Sequence, residues 1–266
     1  MVGDAVKAML GPGCEVQVLM GPGTDPHLFK PTKESLDLLS RAGVVVANGL
    51  HLEGRMHDVL EKMARSRVVV FASDGVGGEL LLYADAHMRT PDPHLWFDVS
   101  IWRQACTHIS HALEQALPGC YRPDGASAYL ARLDSLHIEV QRGIQSISPQ
   151  RRVLVTAHDA FGYFGRAYEV EVLALQGIST VAEYGVRDVA RLVDLISERR
   201  IPAIFAESSI SPRSIEAVVA GCMRKGWPVK LGGTLYSDAP GPPGSGTDTY
   251  EGMVRHNLYT IKEALQ

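Results

Sequence analysis

Val44-Val45-Val46-Ala47-Asn48-Gly49 is a short apolar run stopped by a turn dipeptide, and Arg67-Val68-Val69-Val70-Phe71-Ala72 repeats the form downstream. β-Branched residues in an unbroken run suit a strand covered on both faces, as in a parallel sheet. Between the two runs, Met56, Val59, Leu60 and Met63 recur at helical spacing. Strand, helix, strand in that order predicts an α/β lobe with crossover connections. Upstream, Thr32 offers an N-cap to a helix carrying Leu36, Leu38, Leu39 and Ala42. Residues 15–20 alternate like a strand and run into the loop Gly21-Pro22-Gly23-Thr24. Val2, Val6, Met9 and Leu10 predict an opening helix. An α/β lobe ordinarily opens on a strand, so the chain reads as starting late, with a first strand and an export signal missing.

Downstream, a helix over 99–117 carries Ile101, Ala105, Ile109 and Leu113 on one face. The longest helical pattern follows over 125–147, with Tyr129, Leu133, Leu136, Val140 and Ile144 three or four residues apart and Pro149 closing it. A helix of about 23 residues spans roughly 35 Å, enough to join two lobes. Beyond it the rhythm repeats, with strands expected at 152–157, 170–174, 203–206 and 228–231 and helices at 187–199, 214–225 and 250–265. The expected organisation is an N-terminal α/β lobe (1–124), a linking helix (125–149) and a C-terminal α/β lobe (150–266).

The bulk numbers narrow the function classes. The 266 residues are 45% hydrophobic and 21% charged with net charge -4, a globular composition. No run reaches the roughly 18 apolar residues of a membrane span. Charge this close to neutral and this evenly spread gives no footprint for nucleic acid. Cys14, Cys106, Cys120 and Cys222 are scattered without a CxxC pair. Four buried or unpaired thiols are expected, with the redox compartment left open.

A metal is suggested by a repeated phrase. Asp25-Pro26-His27-Leu28-Phe29 returns as Asp92-Pro93-His94-Leu95-Trp96. Proline fixes its own φ and biases the preceding residue towards extended backbone, so each copy presents a histidine from a stiff loop. Either copy alone reads equally well as a helix-entry turn. Both together suit a transition metal, which needs fixed geometry and neutral nitrogen donors. Ligands in open α/β sheets bind beyond the carboxyl ends of strands. His27, His158 (after the strand at 152–157) and Asp238 (after 228–231) fall at such ends.

Five motifs in order carry a family resemblance: Gly21-Pro-Gly-Thr-Asp-Pro-His27, Asn48-Gly-Leu-His-Leu-Glu53, Asp92-Pro-His-Leu-Trp-Phe-Asp98, Thr156-Ala-His-Asp-Ala-Phe-Gly-Tyr-Phe164 and Tyr236-Ser-Asp238. Together they resemble the zinc/manganese solute-binding proteins of bacterial metal ABC importers, the TroA- and ZnuA-like group. The resemblance covers nearly the whole chain. It implies two Rossmann-like lobes with parallel sheets bridged by a single long rigid helix, with metal held between them by His27, His94, His158 and Asp238. It further implies a non-enzymatic monomer, periplasmic or lipid-anchored, that passes its ion to a membrane permease. The long histidine-rich loop of many zinc-dedicated members is absent.

Three imidazoles and a carboxylate suit Zn2+ at about 2.0–2.2 Å, with Mn2+ a close second, especially if Asp238 binds through both oxygens. Asp25 and Asp92 could orient the neighbouring histidines, but Asp before Pro is just as often a turn residue. Asp159, Glu183 and Glu207 could hydrogen-bond the ligands and stay outside the expected site. His87 reads as a solvated loop residue, and His51 and His256 as solvated or packed helix residues. The alternatives are a zinc hydrolase, which the absence of HExxH and of a nucleophile elbow disfavours, and a metal-dependent surface adhesin.

Overall fold

A computed structural model of the chain describes residues 1–83, 90–181 and 184–266; His87 and Glu183 lie outside them. The chain forms two compact units, Met1–His137 and Ile138–Gln266, each an α/β arrangement, with one parallel strand pair in the first and two in the second among the described residues. The division falls inside the long helix α5 (Pro123–Gln145). That helix has 23 residues, as its periodicity predicts. Tyr129, Leu133, Leu136, Val140 and Ile144 make the buried stripe that the spacing requires. Pro123 is its first residue, where a missing N–H leaves no hydrogen bond unmade.

In the first unit the helices α1 (Val2–Met9), α2 (Lys33–Arg41), α3 (His57–Ala64) and α4 (Val99–Ala116) accompany the strands β1 (Val44–Ala47) and β2 (Val68–Phe71). β1 and β2 pair in parallel from Val44 opposite Val68 to Ala47 opposite Phe71. Thr32 caps α2 by accepting from the Ser35 N–H, and Asp98 caps α4 by accepting from the Ser100 and Ile101 N–H groups. Leu39, Met56 and Leu60 close over Val45 and Ala47 as the core of the β1–β2 pair.

Residues 15–20 do not form the expected strand. Their alternation is real, but β1 pairs with β2, and a strand exists only where a neighbour takes its backbone hydrogen bonds. Val18 is 52% exposed and lies against Gly3 of α1 instead.

The cysteine expectation fails for one pair. Cys14 and Cys120 form a disulfide, with Cα atoms 5.8 Å apart. Chain just after α1 meets the α4–α5 connection in a short antiparallel bridge, in which the Gly11 N–H donates to Cys120 O and the Arg122 N–H to Met9 O. That approach joins positions 106 residues apart, which linear spacing cannot reveal. Cys106 and Cys222 are buried free thiols, as expected.

In the second unit β3 (Val153–His158) pairs in parallel with β4 (Glu171–Gln176), and β5 (Ala203–Glu207) with β6 (Lys230–Leu235). β3 runs alongside β5. β6 begins two residues later than the sequence predicts, because Pro228 has no N–H and the Val229 N–H turns locally to Trp227 O. The helices are α6 (Gly162–Tyr168), α7 (Val186–Arg199), α8 (Arg213–Arg224) and α9 (Tyr250–Leu265). The short α6 has no counterpart in the sequence prediction, since two glycines and adjacent aromatics hide its period. Val155, Leu175, Leu192, Ile196, Ile204, Ile215 and Val218 form the core. No helix among the described residues is long and apolar enough to cross a membrane.

The disulfide closes a long loop, so replacing Cys14 and Cys120 with Ser should destabilise the protein by about 2–4 kcal/mol. Urea titration under oxidising conditions measures this, and an unchanged midpoint would show that the link restrains nothing.

Candidate metal centre

The two Asp-Pro-His loops are built alike. In the first, Asp25 Oδ1 accepts the His27 backbone N–H at 2.9 Å. In the second, Asp92 Oδ1 accepts the His94 backbone N–H at 2.9 Å and also lies 2.7 Å from the ring Nδ1. An aspartate that bonds the backbone two residues on makes its own turn, so the motif is pre-shaped by its sequence. The Nδ1 contact of Asp92 holds a proton on that nitrogen and leaves Nε2 of His94 with its lone pair outward. His27 and His94 are 5% and 0% exposed, and their Nε2 atoms face one another at 3.3 Å.

The second unit holds the other two predicted residues. His158 ends β3, and its Nδ1 lies 2.6 Å from Glu207 Oε2 at the end of β5. The other oxygen of Glu207 accepts the backbone N–H groups of Ala157 (2.8 Å) and His158 (2.9 Å). One buried carboxylate therefore meets both the ring and the backbone of His158. The Nε2 of His158 faces Asp238 Oδ1 at 3.4 Å. Asp238 follows β6 in a loop clamped by Asn257 of α9, whose amide accepts the Tyr236 N–H (2.9 Å) and donates to Tyr236 O (2.7 Å). Ser209 Oγ donates to Asp238 Oδ2 at 3.0 Å and orients the carboxylate.

Each pair thus sets two donor atoms 3.3 or 3.4 Å apart. A tetrahedron's edge is about 1.63 times its centre-to-corner distance, so donors about 2.0–2.1 Å from one ion stand about 3.3–3.4 Å apart. Both pairs keep the spacing of two ligands sharing an ion.

The electrostatics of His158 work the same way. Burial opposes charge on its ring, but Glu207 and Asp238 outweigh it and hold its pKa well above the ordinary histidine value. In the metal-free protein the bound proton stabilises the fold fully below about pH 6.5, the unfolded reference. That contribution is lost as pH rises through the elevated folded value. For an ion bound at Nε2 the sign reverses, because the ion must displace the proton and its affinity falls as pH drops.

Asp92 and Glu207 lie outside the site expected from sequence, yet each meets a proposed ligand ring. The pairing of Asp92 is local and follows from its motif, whereas that of Glu207 needs β5 to lie beside β3. Asn257 and Ser209 carried no signal at all. Asp159 sits in the turn after β3, with its N–H directed to Gly177 O. His51 lies in a turn rather than a helix, with its ring against His57. His256 is on α9 as expected, 3.0 Å from Thr234 O.

Comparison with known proteins gives concordant results. The family described as ZnuA, zinc-uptake complex component A periplasmic, matches residues 1–264. The chain is 43% identical over 268 residues to the manganese-binding lipoprotein MntA of Bacillus subtilis (strain 168), covering 100% of this chain and 87% of that one. It is also 43% identical over 268 residues to the zinc-binding protein TroA of Treponema pallidum (strain Nichols), covering 100% and 86%. The solved structure of the periplasmic zinc-binding protein TroA from Treponema pallidum matches with a TM-score of 0.96 and covers 100% of this chain and 96% of that chain.

Glu207→Gln keeps the size of the side chain but removes its charge. Near pH 7, calorimetry in buffers of different ionisation enthalpy should show fewer protons released per zinc bound than in wild type. Zinc affinity should fall about 10–100-fold. Equal proton release in the two proteins would mean that Glu207 does not hold the His158 proton.

Proposed function

We propose, because the chain belongs to the ZnuA family of periplasmic zinc-uptake components, that it is an extracytoplasmic receptor that captures a divalent transition-metal ion and delivers it to an ABC-type permease. His27, His94, His158 and Asp238 together ligate one ion. The observation that carries this reading is the pair of buried donor couples, each at the separation that two ligands keep on a shared tetrahedral ion. The protein does no covalent chemistry. A catalytic zinc keeps an open position for water, and a fourth protein ligand, Asp238, fills it.

Zinc is the preferred cargo and manganese a close second. Relatives at the same identity are named for each metal, so the choice falls to the donors. Three neutral imidazoles and one carboxylate leave a bound divalent ion with about one net positive charge, a set that suits zinc. Manganese favours more oxygen donors. The receptor works as a monomer, free in the periplasm or lipid-anchored at the outer face of the cytoplasmic membrane. The Cys14–Cys120 disulfide accords with such an oxidising compartment.

Alanine at any of the four positions should weaken zinc binding strongly, because each removes one of only four ligand residues. Two variants with wild-type affinity in competition calorimetry would overturn the assignment. His158→Glu exchanges a nitrogen donor for an anionic oxygen donor. It should move the ratio of manganese to zinc dissociation constants towards manganese, although zinc should still bind more tightly, as the Irving–Williams order requires. A ratio that stays put in a folded variant would remove His158 from the ligand set or ligand hardness from the explanation.

A further inference from the structure

The motif Asn48-Gly49-Leu50-His51-Leu52-Glu53 supplies none of the four proposed ligands, yet it makes a strained turn. Gly49, Leu50 and His51 are consecutive left-handed residues with φ of 87°, 53° and 61°, and Gly54 follows at 46°. L-residues adopt this region at a cost, and two in succession persist only where their surroundings hold them. Glu53 does the holding. Its carboxylate is buried and accepts the Asn48 N–H at 2.6 Å and the Gly49 N–H at 3.3 Å, closing the turn on itself.

The turn touches both Asp-Pro-His loops. Asn48 is 2% exposed and its amide Nδ2 donates to Pro93 O at 3.0 Å and to Gly49 O at 3.1 Å. Two facing carbonyls identify that atom as the NH2 group. Pro93 immediately precedes His94, so Asn48 grips the peptide that carries this ligand. On the other side Gly54 lies under His27, where an added Cβ would come 2.6 Å from His27 O. One strained turn thereby meets the Pro93 carbonyl just before His94 and the backbone of His27, the two histidines whose Nε2 atoms stand 3.3 Å apart.

We infer that Asn48 and Glu53 are positioning residues for metal capture, which set the His27–His94 separation through the Pro93 carbonyl and the His27 peptide. This inference rests on the metal-receptor reading above. A purely structural role would let a mutation lower thermal stability while a still-folded protein bound zinc as before. A positioning role changes the binding itself.

The test compares wild type with Asn48→Asp, Asn48→Ala and Glu53→Gln. It reads the zinc dissociation constant by chelator competition, the visible spectrum of the Co2+-loaded protein, and the melting temperature without metal. Asn48→Asp keeps the size of the side chain but presents a carboxylate, without a donor, to Pro93 O. Both Asn48 variants should raise the zinc dissociation constant about 10–100-fold and alter the cobalt bands. A fourth variant, Glu53→Ala, removes both turn acceptors and should weaken zinc binding to a similar extent. Glu53→Gln, which keeps a carbonyl acceptor, should recover most of the affinity. Wild-type affinity in a folded Glu53→Ala protein would remove Glu53 from the inference. Wild-type affinity and cobalt spectrum in a folded Asn48→Asp or Asn48→Ala protein would overturn the inference and leave the receptor reading intact. Failure of both Asn48 variants to fold would also overturn it, by making the role structural. Absence of zinc binding in wild type would overturn both readings.

Discussion

A buried imidazole is held by whatever faces its second ring nitrogen, and the donor geometry of the proposed metal centre depends on that contact. Glu207 Oε2 lies 2.6 Å from Nδ1 of His158, and Asp92 Oδ1 lies 2.7 Å from Nδ1 of His94. Each contact favours a proton on Nδ1 and directs Nε2 away from the carboxylate, so that Nε2 is the nitrogen left to an ion. Without the carboxylates the rings could flip or change tautomer, and a coordinating lone pair would become an N–H. Glu207 also bonds two backbone amides of β3, so the same group that orients the ring joins the ends of two strands.

The supports around the donors are short and buried. Asn257 holds the peptide of Tyr236 at both its N–H and its C=O, and Asn48 holds the carbonyl of Pro93. In each case a side-chain amide grips the backbone one or two residues before a proposed ligand. His94 and Asp238 therefore project from loops whose main chain is already bonded. Fixing the loops in advance lowers the ordering cost that binding an ion would otherwise carry. The high pKa of His158 follows from the same design, since carboxylates placed to favour a cation also favour a proton in its absence.

Much of this was legible in the sequence for local reasons. The β-branched runs at 44–47 and 68–71 form the parallel strand pair that their composition predicts, although Val68 stays exposed, and the stripe from Tyr129 to Ile144 forms a buried helix face. The Asp-Pro-His turns form because aspartate, proline and histidine interact within three residues of one another. These readings succeed because the interactions that decide them lie within one helical turn or one strand.

Other features were settled only by the tertiary structure. Residues 15–20 carry strand-like alternation but no ladder, because a strand needs a partner that its own sequence does not specify. The Cys14–Cys120 link spans 106 positions, and nothing about either cysteine's neighbours marks the other. Glu207 lies 49 residues from His158, and it becomes that ring's acceptor only when β5 is laid beside β3. The sequence by itself determined which residues bring nitrogen and oxygen donors and which local turns present them. Tertiary packing decided which carboxylates and amides face those donors, because a hydrogen bond between distant segments exists only once the fold has brought them together.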